Sequence, residues 1–233
     1  AAALGDDAIL LLDAYDAYVR KTPEVDVFCS SSHWVLPAKS VYAPGLQPFI
    51  WKTENAYCAF MLSAIQPDVF CAMPLEVGWG LACPLIGSEP DLTVGALSAA
   101  LKRAALKPDY VLITGMIEDG GLQNALRKRF PGRMMLDPSQ KCVRRIASLK
   151  GGLDAFLGRR STKFRAELRR SARRLAATDL QVDYCESGDV DTIARRMVAV
   201  EEKSWKGLSA QGVDQGLPLK FYREIISSLL MQG

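Results

Sequence analysis

Histidine is almost missing from this chain: His33 is the single one in 233 residues. One imidazole so early in the chain, with no partner that spacing can supply, argues against a Ser/His/Asp triad and leaves His33 as a lone candidate for a general base. Metal-ligand spacing is missing too. The six cysteines (Cys29, Cys58, Cys71, Cys83, Cys142 and Cys185) are scattered, with no CxxC pair and no adjacent histidine, so no metal is expected. Cys58, Cys71 and Cys83 lie in apolar strand-like runs, where a free thiol acts as a small core residue, and reduced thiols fit a cytosolic setting better than a disulfide framework. Pro, Gly or a charge interrupts each apolar run before the roughly 18 to 20 residues that a membrane span needs. The opening AAALGDDAILLLDAYDAYVR has four aspartates and no basic start, unlike a secretory signal. A soluble, cytoplasmic protein is therefore expected. GxGxxG and Walker A patterns are lacking, and Asp119-Gly120-Gly121 reads as a turn and helix cap rather than a phosphate cradle.

What is present is a globular composition. With 49% hydrophobic and 24% charged residues, the chain can bury one large core or two smaller ones. Ile9, Leu12, Tyr15 and Val19 have helical spacing over residues 7–20. A Ser-, Pro- and Gly-rich stretch follows to about residue 50, and in it VFCSSSHW leads into a short helix. ENAYCAFMLSA, DVFCAMPLEV and WGLACPLIG read as three strands parted by turn residues. Residues 91–106 read as a helix and 109–116 as a strand, which suggests a βαβ unit. Further helices are expected at 121–130, DAFLG, 189–205 and 218–231, extended chain at 133–148, and a strand at 180–187. Gly151-Gly152 is the natural domain punctuation. The expected class is α/β (α+β), a mixed sheet covered by helices.

Positive charge is concentrated in one place. RRSTKFRAELRRSARRL, residues 159–175, holds eight basic side chains and one acid in a chain whose formal net charge is +3, so the remaining residues are net acidic. At about 100° per residue, Phe164, Leu168, Ser171 and Leu175 form one stripe, while Lys163, Arg165, Arg169, Arg170 and Arg173 fan across the opposite half. The stripe is expected to pack on the protein. Like-charge pairs four residues apart, such as Arg165/Arg169 and Arg169/Arg173, each cost about 0.2–0.5 kcal/mol in an isolated helix. Three readings follow: a face neutralised by carboxylates elsewhere in the protein, an anion site at a helix start capped by Ser161, or a contact with nucleic acid. No aromatic residues interleave with the arginines, which counts against the last.

STKFRAELRRSARRLAATDLQVDY (161–184) resembles the [ST]-x-K-x-R-x-x-[IL]-R-[RK]-x-x-[RK] segment, followed by a turn and a strand, of the FemAB-like and CelD-like branch of the GNAT superfamily of N-acyltransferases. VFCSSSHW and the helix pair within 198–230 are similar to other parts of that family. The resemblance implies tandem GNAT-like domains, each a mixed, mostly antiparallel sheet with helices on both faces. Residues 1–150 would be the first copy, and 151–233 the start of a second that breaks off here. It implies acetyl-CoA or another acyl-CoA as donor, held on a [QR]-x-x-G-x-[GA] loop between a strand and a helix, and an amine of a sugar, peptide or cell-envelope precursor as acceptor. In the first copy the matching place is CPLIGSEPDLTVG, where Gly87 is kept but Glu89 would repel phosphate, so that loop reads as degenerate. Ser161, Lys163, Arg165, Arg169, Arg170 and Arg173 would bind a phosphate-bearing ligand. Glu201, Trp205 and Lys206 would stand near an acceptor pocket, and Trp34 would be a packing anchor. The catalytic residues are expected beyond Gly233. Alternatives are an aminoacyl-tRNA-dependent transferase of FemAB type, and a non-catalytic module that presents helix 161–175 to nucleic acid or an acidic protein.

Overall fold

Strand β2 (Ala56–Gln66) is buried at each of its first six positions, on both faces of its pleat, and such a run needs cover on both sides. In the computed structural model of the chain it has that cover. The structure describes residues 14–76, 78–135, 143, 147–178, 187–209 and 216–231. They belong to two compact units, one of residues 1–136 with 187–233 and one of residues 137–186.

In the first unit, Phe49 and Trp51 of β1 (Gln47–Lys52), Ala56, Cys58 and Phe60 of β2, and Ala72 of β3 (Val69–Pro74) share a core with Val94, Leu97 and Ala100 of α3 (Pro90–Arg103) and Leu126 of α4 (Gly121–Arg129). Ile50, Tyr57, Ala59 and Met61, the alternate positions, pack with Tyr15 and Val19 of α1 (Tyr15–Lys21) and Val35 of α2 (Ser32–Tyr42). Helices thus cover both faces of the sheet. Its strand order is β1-β2-β3-β5, where β5 is Tyr110–Val111, and the short β4 (Leu85–Gly87) also pairs with β2. All pairings are antiparallel except β3 with β5. The strand that runs parallel to β5 is β3 rather than the expected run at 79–87, with α3 in the crossover between them.

Because β1 pairs with β2 on one side, β3 and β4 lie end to end along the other, and residues 75–84 interrupt them. The buried Glu76 holds this interruption in shape. Its Oε2 accepts the N–H groups of Leu81 (2.8 Å) and Ala82 (2.9 Å), and its Oε1 accepts Trp34 Nε1–H (3.0 Å). Gly78 and Gly80, at φ 101° and 64°, let the chain turn on either side of Trp79. The strands expected at 79–87 and 109–116 are therefore much shorter than the apolar runs that suggested them.

Helix α9 (Gly216–Leu230) returns to the first unit and lays Phe221 and Ile225 against Ala38 and Val41 of α2. The helix expected over 189–205 ends as α7 (Val190–Glu201), and a four-residue helix, α8 (Trp205–Leu208), restarts where Ser204 Oγ accepts the Lys206 and Gly207 N–H groups. The second unit contains α5 (Gly152–Gly158) and α6 (Thr162–Ala176). The expected strand at 180–187 and most of the extended run at 133–148 lie outside the described residues, as do Ile9 and Leu12.

Candidate functional site

The basic segment forms one helix because its start is capped. Ser161 has extended backbone and its Oγ accepts the Phe164 N–H at 3.2 Å, one of the donors that a helix leaves unpaired at its first turn. Before it, Arg159 is tied back to the carbonyls of Ser148 (2.7 Å) and Lys150 (3.3 Å). The Arg160 guanidinium lies over the Phe156 ring at 4.3 Å and the Phe164 ring at 6.0 Å. From there on the cations are exposed, except that Arg165 is half-buried. Among the described residues, the only carboxylate within ion-pair reach of an α6 arginine is that of Glu167, 3.0 Å from Arg170. Among the described residues, Arg165 donates to Thr162 Oγ1 alone, at 3.4 Å. Lys163, Arg169 and Arg173 have no ion-pair partner among the described residues.

The apolar stripe differs from expectation. Phe164, Leu168 and Leu175 are 44%, 43% and 49% exposed, and no residue of α6 is buried. Among the described residues, the Phe156 ring and the Arg160 guanidinium stand against Phe164, and the stripe lacks the burial that α3 and α9 have.

Glu201, Trp205 and Lys206 belong to the first unit, whereas the basic helix belongs to the second. Glu201 is the last residue of α7 and its carbonyl accepts the Ser204 N–H at 2.9 Å. Trp205 is 69% exposed, so its indole faces solvent. The loop from β4 into α3 is furnished against anions. The Gly87 N–H is already given to Thr22 Oγ1 (2.9 Å), Glu89 stands at the N-cap, and Asp91 is in the first turn. A carboxylate also fills the start of α4, where the Gly121 N–H donates to Glu24 Oε2 at 2.8 Å.

The region of His33 holds a group that sequence reasoning missed. Asp16, on α1, accepts the Ser32 N–H (2.8 Å) and the Ser32 hydroxyl (2.6 Å), and so caps α2 from outside. Its Oδ2 lies 3.4 Å from His33 Nε2. On the other side of the ring, His33 Nδ1 is 2.7 Å from Ser228 Oγ of α9. The early position of the one histidine suggested that no such grouping could form, but α9 comes back across the chain to supply the serine. Trp34, next in sequence, is the expected packing anchor: its ring meets Phe28, Trp79 and Phe221. No spacing rule connects residues 16, 33, 76 and 228. Serine near the end of a helix carried no signal of its own.

No helix among the described residues is long and apolar enough to cross a membrane. No group of three potential metal ligands is found among them. Compared with family models, with curated proteins and with solved structures, the chain has no match.

Proposed function

We propose that this chain is part of an N-acyltransferase of the FemAB-like and CelD-like GNAT type, and that α6 binds a phosphate-bearing ligand. The observation that carries the reading is the open cationic face of α6. Several arginines at four-residue spacing repel one another, by about 0.2–0.5 kcal/mol for each pair, and no described carboxylate beyond Glu167 offsets them. An anionic ligand would. Ser161, Lys163, Arg165, Arg169, Arg170 and Arg173 would supply the contacts, with Arg giving paired N–H donors that match phosphate oxygens. Helices on both faces of a mixed, mostly antiparallel sheet agree with the architecture that the family resemblance implies. The β4–α3 loop, with Glu89 at its helix start, does not fit a pyrophosphate, which makes α6 the better place for the phosphates of an acyl-CoA. The chemistry would be attack by a deprotonated amine of a sugar, peptide or cell-envelope precursor on the donor's thioester carbonyl, with a backbone N–H taking the developing oxyanion. A cytoplasmic setting suits such a donor.

The test is a thermal melt of the whole chain with CoA and acetyl-CoA, beside Arg165→Gln/Arg169→Gln. A donor at 100 times its Kd stabilises by about 2.7 kcal/mol, so a clear rise in Tm is expected for wild type and its loss for the variant, with unliganded Tm unchanged or slightly raised. If neither compound shifts Tm and RNA or duplex DNA binds instead, with affinity falling steeply as salt rises, the transferase reading gives way to a nucleic-acid module. Binding of charged tRNA alone would point to aminoacyl transfer.

A further inference from the structure

The Asp16, His33 and Ser228 group favours one order of protons. The Asp16 carboxylate lies 3.4 Å from Nε2 as an ion-pair contact, and its negative charge favours the tautomer that carries the ring hydrogen on Nε2. That tautomer leaves Nδ1 with a bare lone pair. In that tautomer the Ser228 hydroxyl, at 2.7 Å, is the donor and its proton points at a base. A serine in a helix more often donates to the carbonyl one turn back; here a ring nitrogen at 2.7 Å competes for its proton. Asp16 is itself held by Ser32 through two hydrogen bonds, and this fixes the ring that Asp16 orients. Three elements, α1, α2 and α9, meet to make the arrangement. It is not sealed: the side chains of His33 and Asp16 are 14% and 15% exposed, and Ser228 is partly exposed.

We propose that Ser228 is a nucleophile that takes an acyl group from a small activated ester or thioester, with His33 as its general base and Asp16 as the positioning residue. Ser228 Oγ attacks the carbonyl carbon and its proton passes to His33 Nδ1. The tetrahedral adduct collapses, the bond from carbonyl carbon to the leaving oxygen or sulfur breaks, and the leaving group takes the proton from His33. The products are an ester at Ser228 and a free alcohol or thiol. Water then attacks that ester, again giving a proton to His33, which returns it to Ser228 Oγ as the carboxylic acid departs. The imidazolium formed in each half lies between the Asp16 carboxylate and the last turn of α9, whose free carbonyls favour a cation. That turn offers carbonyls rather than N–H groups to an oxyanion, so the substrates it suits are those with good leaving groups. This site lies in the first unit and does not rest on the reading of α6.

The experiment uses the whole chain with p-nitrophenyl acetate. Wild type is expected to gain one acetyl group, which peptide mass analysis places on Ser228. Ser228→Ala abolishes it, and His33→Gln slows it by about 100-fold or more, with circular dichroism reporting that both remain folded. Asp16→Asn offers Nε2 an N–H donor, so the ring's proton moves to Nδ1. The 15N spectrum of the only histidine shows that switch directly as acetylation falls, an effect that loss of packing would not produce. If His33→Gln unfolds, Ser228→Cys keeps the imidazole, and its new thiol is expected to react with iodoacetamide about 10-fold faster than the thiols of the unfolded chain. Absence of acetyl at Ser228, or a Ser228→Cys thiol no faster than unfolded ones, overturns the proposal and leaves the three residues as a clasp between helices.

Discussion

At the scale of single residues, the molecule spends its buried polar groups on holding irregular chain. Glu76 is the clearest case. A carboxylate out of water is costly unless its oxygens are filled, and here three N–H donors, from Trp34, Leu81 and Ala82, fill them. Removing it would leave three donors facing a void, each carrying a desolvation cost of about 1–3 kcal/mol that rearrangement only partly relieves. Glu76→Ala is therefore expected to cost about 3 kcal/mol in urea denaturation, with a shift in tryptophan emission because Trp34 loses its partner and Trp79 its fixed loop. Glu76→Gln keeps one acceptor oxygen and puts an amide N–H₂ against the other donors, so an intermediate loss is expected. An equal loss in both variants would mean that packing volume, and not hydrogen bonding, is what Glu76 supplies.

At the scale of elements, the seam between α2 and α9 matters most, because it joins residues far apart in sequence. Phe221 is its centre: the ring stacks on Trp79 and meets the edges of Trp34 and Tyr222 while tilting against Tyr42. Ser40 adds a hydrogen bond to Glu224 at 3.2 Å, and Arg223 pairs with Asp191 of α7. Phe221→Ala is expected to cost about 3–5 kcal/mol, and, since α9 carries Ser228, to lower any acetylation there as well. Melts followed by far-ultraviolet circular dichroism test the first effect. Helices such as α3, α4, α6 and α9 were legible because their signals are local: a 3.6-residue period, a Pro or Ser at the start, a Gly or Pro past the end. Strand β1 was not, since QPFIWK contains Pro48 and follows a Gly-rich turn. The structure accommodates that proline at the edge of the sheet, where a missing N–H harms nothing. The strands at 79–87 and 109–116 read too long because an apolar run reports burial, and only a partner's ladder makes it a strand; β5 has such a partner at Cys71 and Ala72 alone. In the same way the basic helix could be read from its own seventeen residues, while the contact of His33 with Ser228 spans 195 positions, a distance over which no pattern in the chain carries information.

At the scale of the whole molecule, both faces of the sheet bury groups that must stay neutral. On one face burial raises Cys58 and Cys83 from an ordinary thiol value to about 12. On the other it pushes Tyr15 up from its usual value near 10. These groups keep their protons when folded and release them when unfolded, so above the ordinary thiol range the unfolded state binds fewer protons. Stability must then fall as pH rises. Below about pH 7.5, a unit under the ordinary thiol value, an unfolded thiol is almost fully protonated too, so these groups make stability flat. The urea midpoint is accordingly expected to hold steady from about pH 6.5 to 7.5 and to decline with growing slope above about pH 8, by at most about 1.4 kcal/mol per pH unit for each thiol. Cys58→Ala should make the decline shallower while lowering the plateau; an unchanged slope would show that the alkaline loss comes from elsewhere. Guanidinium groups stay charged in proteins, and α6 carries several of them. A ligand held by them should thus bind with undiminished affinity at pH 9.5, where the core has begun to weaken, and joint loss of binding and stability over that window would instead tie the anion site to the sheet.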